Sequence, residues 1–339
     1  MEIKIGLIGK GNVGTHFLQI LKERETILRN KFEIEVIVVA IFELDGALIN
    51  KKGLKLNEIL NCTNIRELSY WEENKKFIDY VSVISMDIII ETTPTNHKTG
   101  EPGLSHIIDA LKNNVNVISS NKGPFYLEYK KIKNLAEKMK KLVKYEATVA
   151  SCVPILSIKE NLIGNEIFGI RAILNGTSNY ILSRMTAEGI ALTIALKEAQ
   201  ELGYAETNPK LDIEGYDAAG KLVIIANQLL NLSKTINDVE IKGITNVTPE
   251  AIELAKLDGY VIKQLAIAED NNLIVEPRLV EKDSPLNIGG TLNVIELITK
   301  YAGSIILIGR GAGGFEAASA IFNDFISIIK EMRIRNYEF

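Results

Sequence analysis

The feature that most limits what this chain can become lies at its start, "MEIKIGLIGKGNVGTHFLQILKER". A short, continuous apolar run is followed by Gly9-Lys10-Gly11-Asn12-Val13-Gly14 and then by apolar residues at helical spacing. Strand, glycine turn and helix in that order open a βαβ unit whose turn suits a dinucleotide. Glycine permits the tight bend and close approach to a pyrophosphate, and the helix N-terminus presents N–H donors. A G-x-G-x-x-G match alone is weak, and its position between a strand and a helix is what strengthens it here. The other reading is a turn that merely needs glycine.

Beyond this first helix the chain keeps the same alternation. "FEIEVIVVAIF", "MDIIIETTP", "NVNVISS" and "LVKYEATV" read as buried strands, with helices predicted over "LSHIIDALKN" and "FYLEYKKIKNLAEKMKK". The polar stretch from Asp45 to Tyr80 is predicted to be an irregular insertion with one short helix. After Val149 the pattern changes. "IFGIRAILNG" reads as a strand, followed by a helix capped by Thr177 or Ser178. "IALTIALKEAQELG" is an amphipathic helix stopped at Gly203, and another helix is predicted from Tyr216 to Leu230. Strands and helices then continue to a second glycine cluster, "GRGAGG", and a last helix. The fold class is therefore α/β: a Rossmann-type dinucleotide-binding domain over 1–147, then an α+β catalytic and dimerisation domain over 148–339. The final helix, about 316–332, is expected to pack back near the first domain.

Composition narrows the function classes. A length of 339 residues suits two domains, and a net charge of -4 offers no electrostatic footprint for nucleic acid. No apolar run approaches the roughly 18 residues of a membrane span. Cys62 and Cys152 stand in unrelated contexts, against a disulfide framework or a cysteine-rich zinc site, and a reduced cytoplasmic protein is expected. His16, His97 and His106 show no metal-ligand spacing.

Two places carry chemistry. The strand ends "ETTPTN" and "SSNKGP" put Thr93, Ser120 and Lys122 where such a domain holds the reactive end of a dinucleotide. Glu43, past the second strand, suits a ribose hydroxyl, although it lies further from the turn than the usual spacing of about 20 residues. Lys51 and Lys52 suit a 2′-phosphate instead, so the sequence leaves NAD and NADP both open. The second place is "LGYAETNPKLDIEGYDAAGKL", which gathers Glu206, Asp212, Glu214 and Asp217 ahead of Lys221. Asp217 and Lys221 at i and i+4 would be a weak pair on a surface, but "DAAGKLVIIANQLL" is too apolar for a surface helix. A buried lysine needs partners, and the four carboxylates are expected to supply them. A lysine so held can exchange a proton at a carbonyl. Cys152 is the one conceivable nucleophile, with no histidine near it in sequence.

"GLIGKGNVG", "SSNKGP", "YEATVASCVPIL", "LNGTSNYIL", "ELGYAETNPKLDIEGYDAAGKL" and "IGRGAGG" occur in the order seen in homoserine dehydrogenases, and the chain resembles that family over essentially its whole length. It looks like the short monofunctional form, without an aspartokinase portion or a regulatory domain. The resemblance implies reversible reduction of L-aspartate 4-semialdehyde to L-homoserine with NAD(P), on the route to threonine, methionine and isoleucine. It also implies a homodimer with neither nucleic-acid nor membrane partners. By the same resemblance Lys221 is the proton donor with Asp217 beside it, Glu206 grips the substrate ammonium, and Asp212 joins that pocket. Lys122 would lie between cofactor and substrate, while Thr93, Gly203 and Gly311 touch the cofactor. "EATVASCV" matches a loop for a monovalent cation such as Na+, with Glu146, Val149, Ser151 and Val153 offering mainly backbone oxygens. Asn208, Gly220 and "GGFEAAS" depart from the family pattern without touching the proposed donor. Two rivals are an aspartate-semialdehyde dehydrogenase with a cysteine nucleophile and a non-catalytic dinucleotide-binding regulator.

Overall fold

In the computed structural model, which describes residues 1–337, the chain divides into two compact units, 1–148 with 313–339 and 149–312. The second unit is shorter at both ends than the expected 148–339. The last helix, Gly314–Tyr337, counts with the first unit, and residues 338 and 339 lie outside the described residues.

The first unit is built on a sheet of seven strands: β1 (Glu2–Ile8), β2 (Glu35–Phe42), β3 (Gly46–Ile49), β4 (Trp71–Glu73), β5 (Ile88–Glu91), β6 (Asn116–Ser119) and β7 (Val143–Lys144). Their order is β4-β3-β2-β1-β5-β6-β7. From β2 to β7 neighbouring strands are parallel, and the strands cross from one side of β1 to the other, the topology that leaves a crevice at the strands' carboxyl ends. Helix Asn12–Glu23 buries Gly14, Phe17, Leu18 and Leu21, a one-sided stripe at helical spacing. Phe17 meets Phe325 of the last helix edge-on, ring centroids 6.5 Å apart, so residues more than three hundred positions apart share one core.

Two expectations are corrected here. The stretch 45–80 is not an irregular insertion: β3 extends the sheet antiparallel to β2 and β4 antiparallel to β3, and Ala47, Leu48, Ile59 and Phe77 are buried. The turn between β2 and β3 is closed by the Glu43 N–H on the Gly46 carbonyl at 2.8 Å. Gly46 is required because a Cβ there would stand 2.5 Å from the Trp71 ring. "LVKYEATV" is not a continuous strand either, since β7 ends at Lys144 and a 3-10 turn follows over Glu146–Thr148. The Thr148 hydroxyl donates to the Tyr145 carbonyl at 2.6 Å and closes that turn in place of a strand partner.

The second unit carries six strands: β8 (Ile167–Ile173), β9 (Val239–Ile241), β10 (Tyr260–Glu269), β11 (Asn272–Glu281), β12 (Leu292–Thr299) and β13 (Gly303–Arg310). Their order is β13-β12-β8-β10-β11-β9, antiparallel except between β9 and β11. Asp270 and Asn271, both at positive φ, make the two-residue turn between β10 and β11. Helices Gly176–Glu188, Tyr216–Leu229 and Pro249–Leu257 pack against this sheet. The first of these starts earlier than its expected caps. Its N-cap is Asn175, whose Oδ1 accepts from the Ser178 N–H at 2.8 Å.

Candidate active site

In the first unit the glycine turn has the geometry its sequence requires. Gly9 sits at φ +88°, and a Cβ on Gly14 would lie 2.3 Å from the Gly9 carbonyl oxygen, so neither position accepts a side chain. Open space surrounds Gly11, which is exposed, and leaves the start of helix Asn12–Glu23 approachable. Asn12 and Val13 form its first turn, which contains no acidic residue, so its N–H groups and dipole face outward unopposed. Glu43 follows β2 directly and accepts from the Lys10 backbone N–H, which places its carboxylate at the turn. The last glycine of the second cluster lies at the same corner. Gly314 starts the last helix against Asn12 and His16, where a Cβ would lie 2.7 and 2.6 Å from them. Lys51 and Lys52 are exposed beyond β3. These features fit a dinucleotide pyrophosphate and ribose, with Glu43 suited to a 2′-hydroxyl.

At the ends of β5 and β6 the structure assembles a network that sequence reasoning missed. Glu91, fully buried, accepts from the Thr93 N–H at 3.1 Å, from the Thr93 hydroxyl and from the Ser119 hydroxyl at 2.9 Å. The Asn121 amide donates to the Thr93 hydroxyl at 3.2 Å. The Lys122 N–H reaches the Thr95 hydroxyl at 3.3 Å, and Ser120 donates its N–H to the Glu91 carbonyl at 3.0 Å. Thr93, Ser120 and Lys122 are thus gathered at adjacent strand ends, Thr93 held by the Glu91 carboxylate, Ser120 by the Glu91 carbonyl and Lys122 by Thr95. The only signal was an acid closing a strand that is otherwise wholly apolar, "IIIE".

In the second unit Lys221 is buried, and its Nζ lies 2.7 Å from Asp217 Oδ2 while donating to the Leu174 carbonyl at 2.8 Å. The Asn175 amide bridges the acids, reaching Asp212 Oδ1 at 2.6 Å and Asp217 Oδ2 at 3.0 Å. Helix Tyr216–Leu229 enters through Gly215 at φ +89°, and Ala218, Ala219 and Gly220 let it pack closely. The expectation that all four carboxylates hold the lysine is corrected: Glu206 is exposed, and Glu214 faces Lys210 at 3.8 Å across one exposed turn. Of the four, Asp217 pairs with Lys221, and Asp212 shares the Asn175 amide with Asp217. That amide was not foreseen, although an asparagine ahead of Gly-Thr-Ser is a cap signal. Gly203 stands exposed at φ +74° after helix Leu192–Glu201.

Val149, Ser151 and Val153 lie in the second unit and Glu146 in the first. Ala150 and Ser151 both adopt positive φ, at 49° and 44°, a strained pair that the loop sustains with the Val153 N–H on the Ala150 carbonyl at 3.0 Å. The Ser151 hydroxyl donates to the Gly311 carbonyl at 3.2 Å, and Gly311 has no room for a Cβ beside Asn293. Among the described residues no group of three or more His, Cys, Asp or Glu is placed to hold a metal. Cys152 is exposed and directs its thiol to the Arg310 carbonyl at 3.4 Å, and all three histidines belong to the first unit. No helix among the described residues is long and apolar enough to cross a membrane.

Comparison with known proteins settles the family. A family model described as homoserine dehydrogenase matches residues 154–326, and one described as homoserine dehydrogenase, NAD binding domain, matches 9–146. The chain is 44% identical to a homoserine dehydrogenase of Methanocaldococcus jannaschii over 330 residues, 95% of this chain and 97% of that one. A crystal structure of a putative homoserine dehydrogenase from Archaeoglobus fulgidus superposes with a TM-score of 0.87 at 39% identity, covering 96% of this chain and 99% of the other. A hyperthermophilic archaeal homoserine dehydrogenase in complex with NADPH superposes with a TM-score of 0.85 at 27% identity, covering 98% of each. The readings as a cysteine-dependent aldehyde dehydrogenase and as a non-catalytic regulator are set aside on these matches. A dinucleotide turn in one unit, a buried lysine–carboxylate pair in the other and likeness over nearly the full length have one common explanation: the chain belongs to the homoserine dehydrogenase family.

Proposed function

We propose that this NAD(P)-dependent oxidoreductase interconverts L-homoserine and L-aspartate 4-semialdehyde with Lys221 as its proton donor and acceptor. The observation that carries this is the buried Lys221 ammonium, 2.7 Å from Asp217 and anchored by the Leu174 carbonyl, in a helix otherwise made of small and apolar residues. A bound nicotinamide supplies hydride to the aldehyde carbon or accepts it from the alcohol. Lys221 gives its proton to the alkoxide oxygen in the reducing direction and takes it back in the other. Asp217 balances the charge, and Asn175 keeps Asp212 and Asp217 in place with one amide.

Asp212 and the exposed Glu206 suit the substrate ammonium, and Lys122 suits its carboxylate or the cofactor carboxamide. Gly9, Gly11, Asn12, Val13 and Gly14 take the pyrophosphate, Glu43 a ribose hydroxyl, and Thr93, Ser120, Gly203 and Gly311 complete the cofactor contacts. The backbone of Val149, Ser151 and Val153, with Glu146, is proposed for a monovalent cation, and the strained pair Ala150–Ser151 supports that reading. A cytoplasmic homodimer in threonine, methionine and isoleucine biosynthesis completes the proposal. The test is growth of reduced-nicotinamide absorbance with L-homoserine, in parallel with NAD and NADP. Homoserine-dependent turnover with either supports the reaction, and folded protein silent with both overturns it. The ratio of rates weighs Glu43 against Lys51 and Lys52.

A further inference from the structure

The second unit buries another lysine that the proposed reaction does not use. Lys263, on β10, is 3% exposed. Its Nζ donates to Asn179 Oδ1 at 3.1 Å, to Ser183 Oγ at 3.0 Å and to the Ile288 carbonyl at 2.5 Å. An ammonium has three N–H donors, and here each has an acceptor. Val261 and Leu265, which share its face of the strand, belong to an apolar cluster with Val280, Leu286 and Val294. None of the three acceptors is charged, and burial pushes the lysine down to about 8. A charged side chain kept among apolar neighbours at that cost calls for an explanation beyond packing.

Its place in the sheet supplies one. β10 pairs with β11 along its whole length, but with β8 only from Ala266 to Glu269. β8 stops at Ile173, and the chain turns into helix Gly176–Glu188, which packs against β10. β10 grips that helix through two consecutive polar residues. Lys263 takes Asn179 and Ser183, while Gln264 accepts from the Ser178 hydroxyl at 2.9 Å. The third acceptor of Lys263, Ile288, lies in segment 284–291, and the Thr291 carbonyl of that segment would stand 2.7 Å from a Cβ on Gly176. Lys263 therefore joins the helix to the segment that presses on its first residue. Immediately before that residue come Leu174, whose carbonyl accepts from Lys221, and Asn175, whose amide bridges Asp212 and Asp217.

We propose that Lys263 is a positioning residue for the amino-acid site: by tying helix Gly176–Glu188 to segment 284–291, it fixes the turn at Leu174–Asn175 on which the alignment of Lys221, Asp217 and Asp212 depends. Lysine suits the task because one flexible stem brings three donors to three acceptors on two elements. The proposal rests on the reading of Lys221 as the proton-transfer residue.

The test is Lys263→Met, which keeps an unbranched apolar stem and removes all three donors, with rates referred to the fraction of protein that binds NAD(P). The expected result is a fall in kcat/KM for L-homoserine of about tenfold or more, with the cofactor KM changed by no more than about twofold. Asn179→Ala, which removes one acceptor and leaves the lysine, should shift the same parameter in the same direction by less. Unchanged homoserine kinetics in both variants, or equal losses toward homoserine and cofactor, would overturn the proposal. If Lys263→Met does not fold, Asn179→Ala and Ser183→Ala decide it by the same split. Lys221→Ala is run beside them, because turnover surviving there refutes the site reading itself and not only the role of Lys263.

Discussion

Two lysines are buried in the same unit by different means. Lys221 has a carboxylate at 2.7 Å, whereas Lys263 has only an amide, a hydroxyl and a carbonyl. The first is an ion pair at the edge of a cluster of acids. The second is a charge taken from water and compensated only by neutral acceptors, and its proton affinity falls accordingly, to about 8. The contrast teaches that burial alone says little about a lysine's work, since one is paired with a carboxylate and the other with neutral groups.

The largest effect that would sharpen this contrast is at Lys221. Lys221→Ala should lower turnover by on the order of 10²–10⁴-fold while cofactor affinity, followed by quenching of protein fluorescence, stays within about twofold. A large loss of cofactor binding would break the assignment. Next is the bridge: Asn175→Ala leaves Asp212 and Asp217 without their shared donor, and kcat/KM for homoserine should drop by roughly ten- to a hundredfold, a cost of about 1–3 kcal/mol. Kinetics indistinguishable from those of the unaltered protein would mean that the acids need no bridge.

The pH dependence of stability probes Lys263 directly. Its folded pKa lies below the ordinary lysine value of 10.5, so between about 8 and 10.5 the unfolded chain holds a proton that the folded one has released. Stability must then rise with pH through that window and be flat below it, by at most about 3 kcal/mol. Urea unfolding at pH 7.5 and pH 10, set against Lys263→Met as the reference without this group, should show that gain. An equal difference at both pH values would mean that burial leaves the proton affinity of Lys263 as it is in the unfolded chain. The smallest effect belongs to a control on the surface. Glu214→Gln removes the half-buried partner of the exposed Lys210, and it should leave the midpoint of thermal unfolding within about a degree or two and the rate within about twofold.

Which of these residues could be read in advance follows a physical divide. The glycine turn was legible because its demands are local: Gly9 needs positive φ, and Gly14 must clear a carbonyl five residues away. The pair Asp217–Lys221 was legible because helical spacing alone brings i and i+4 together. Glu206 and Glu214 were misjudged because charge says nothing about which side of a short turn a residue takes. Asn175, Glu91 and Lys263 went unread because their partners lie far along the chain, Asp212 and Asp217 for the first, Ser119 for the second, Asn179 and Ile288 for the third.

By itself, then, the sequence determined the α/β class, the dinucleotide turn, the lysine with its nearest acid and, through motifs in order, the family. Only the tertiary structure decided that stretch 45–80 extends a sheet, that Phe325 of the last helix is what Phe17 meets, and that two of four carboxylates reach the lysine's neighbourhood. Periodicity and backbone sterics act over a few residues and are written in the residues themselves. Hydrogen bonds that satisfy buried polar groups are chosen only when distant segments meet, and no single stretch of sequence contains that choice.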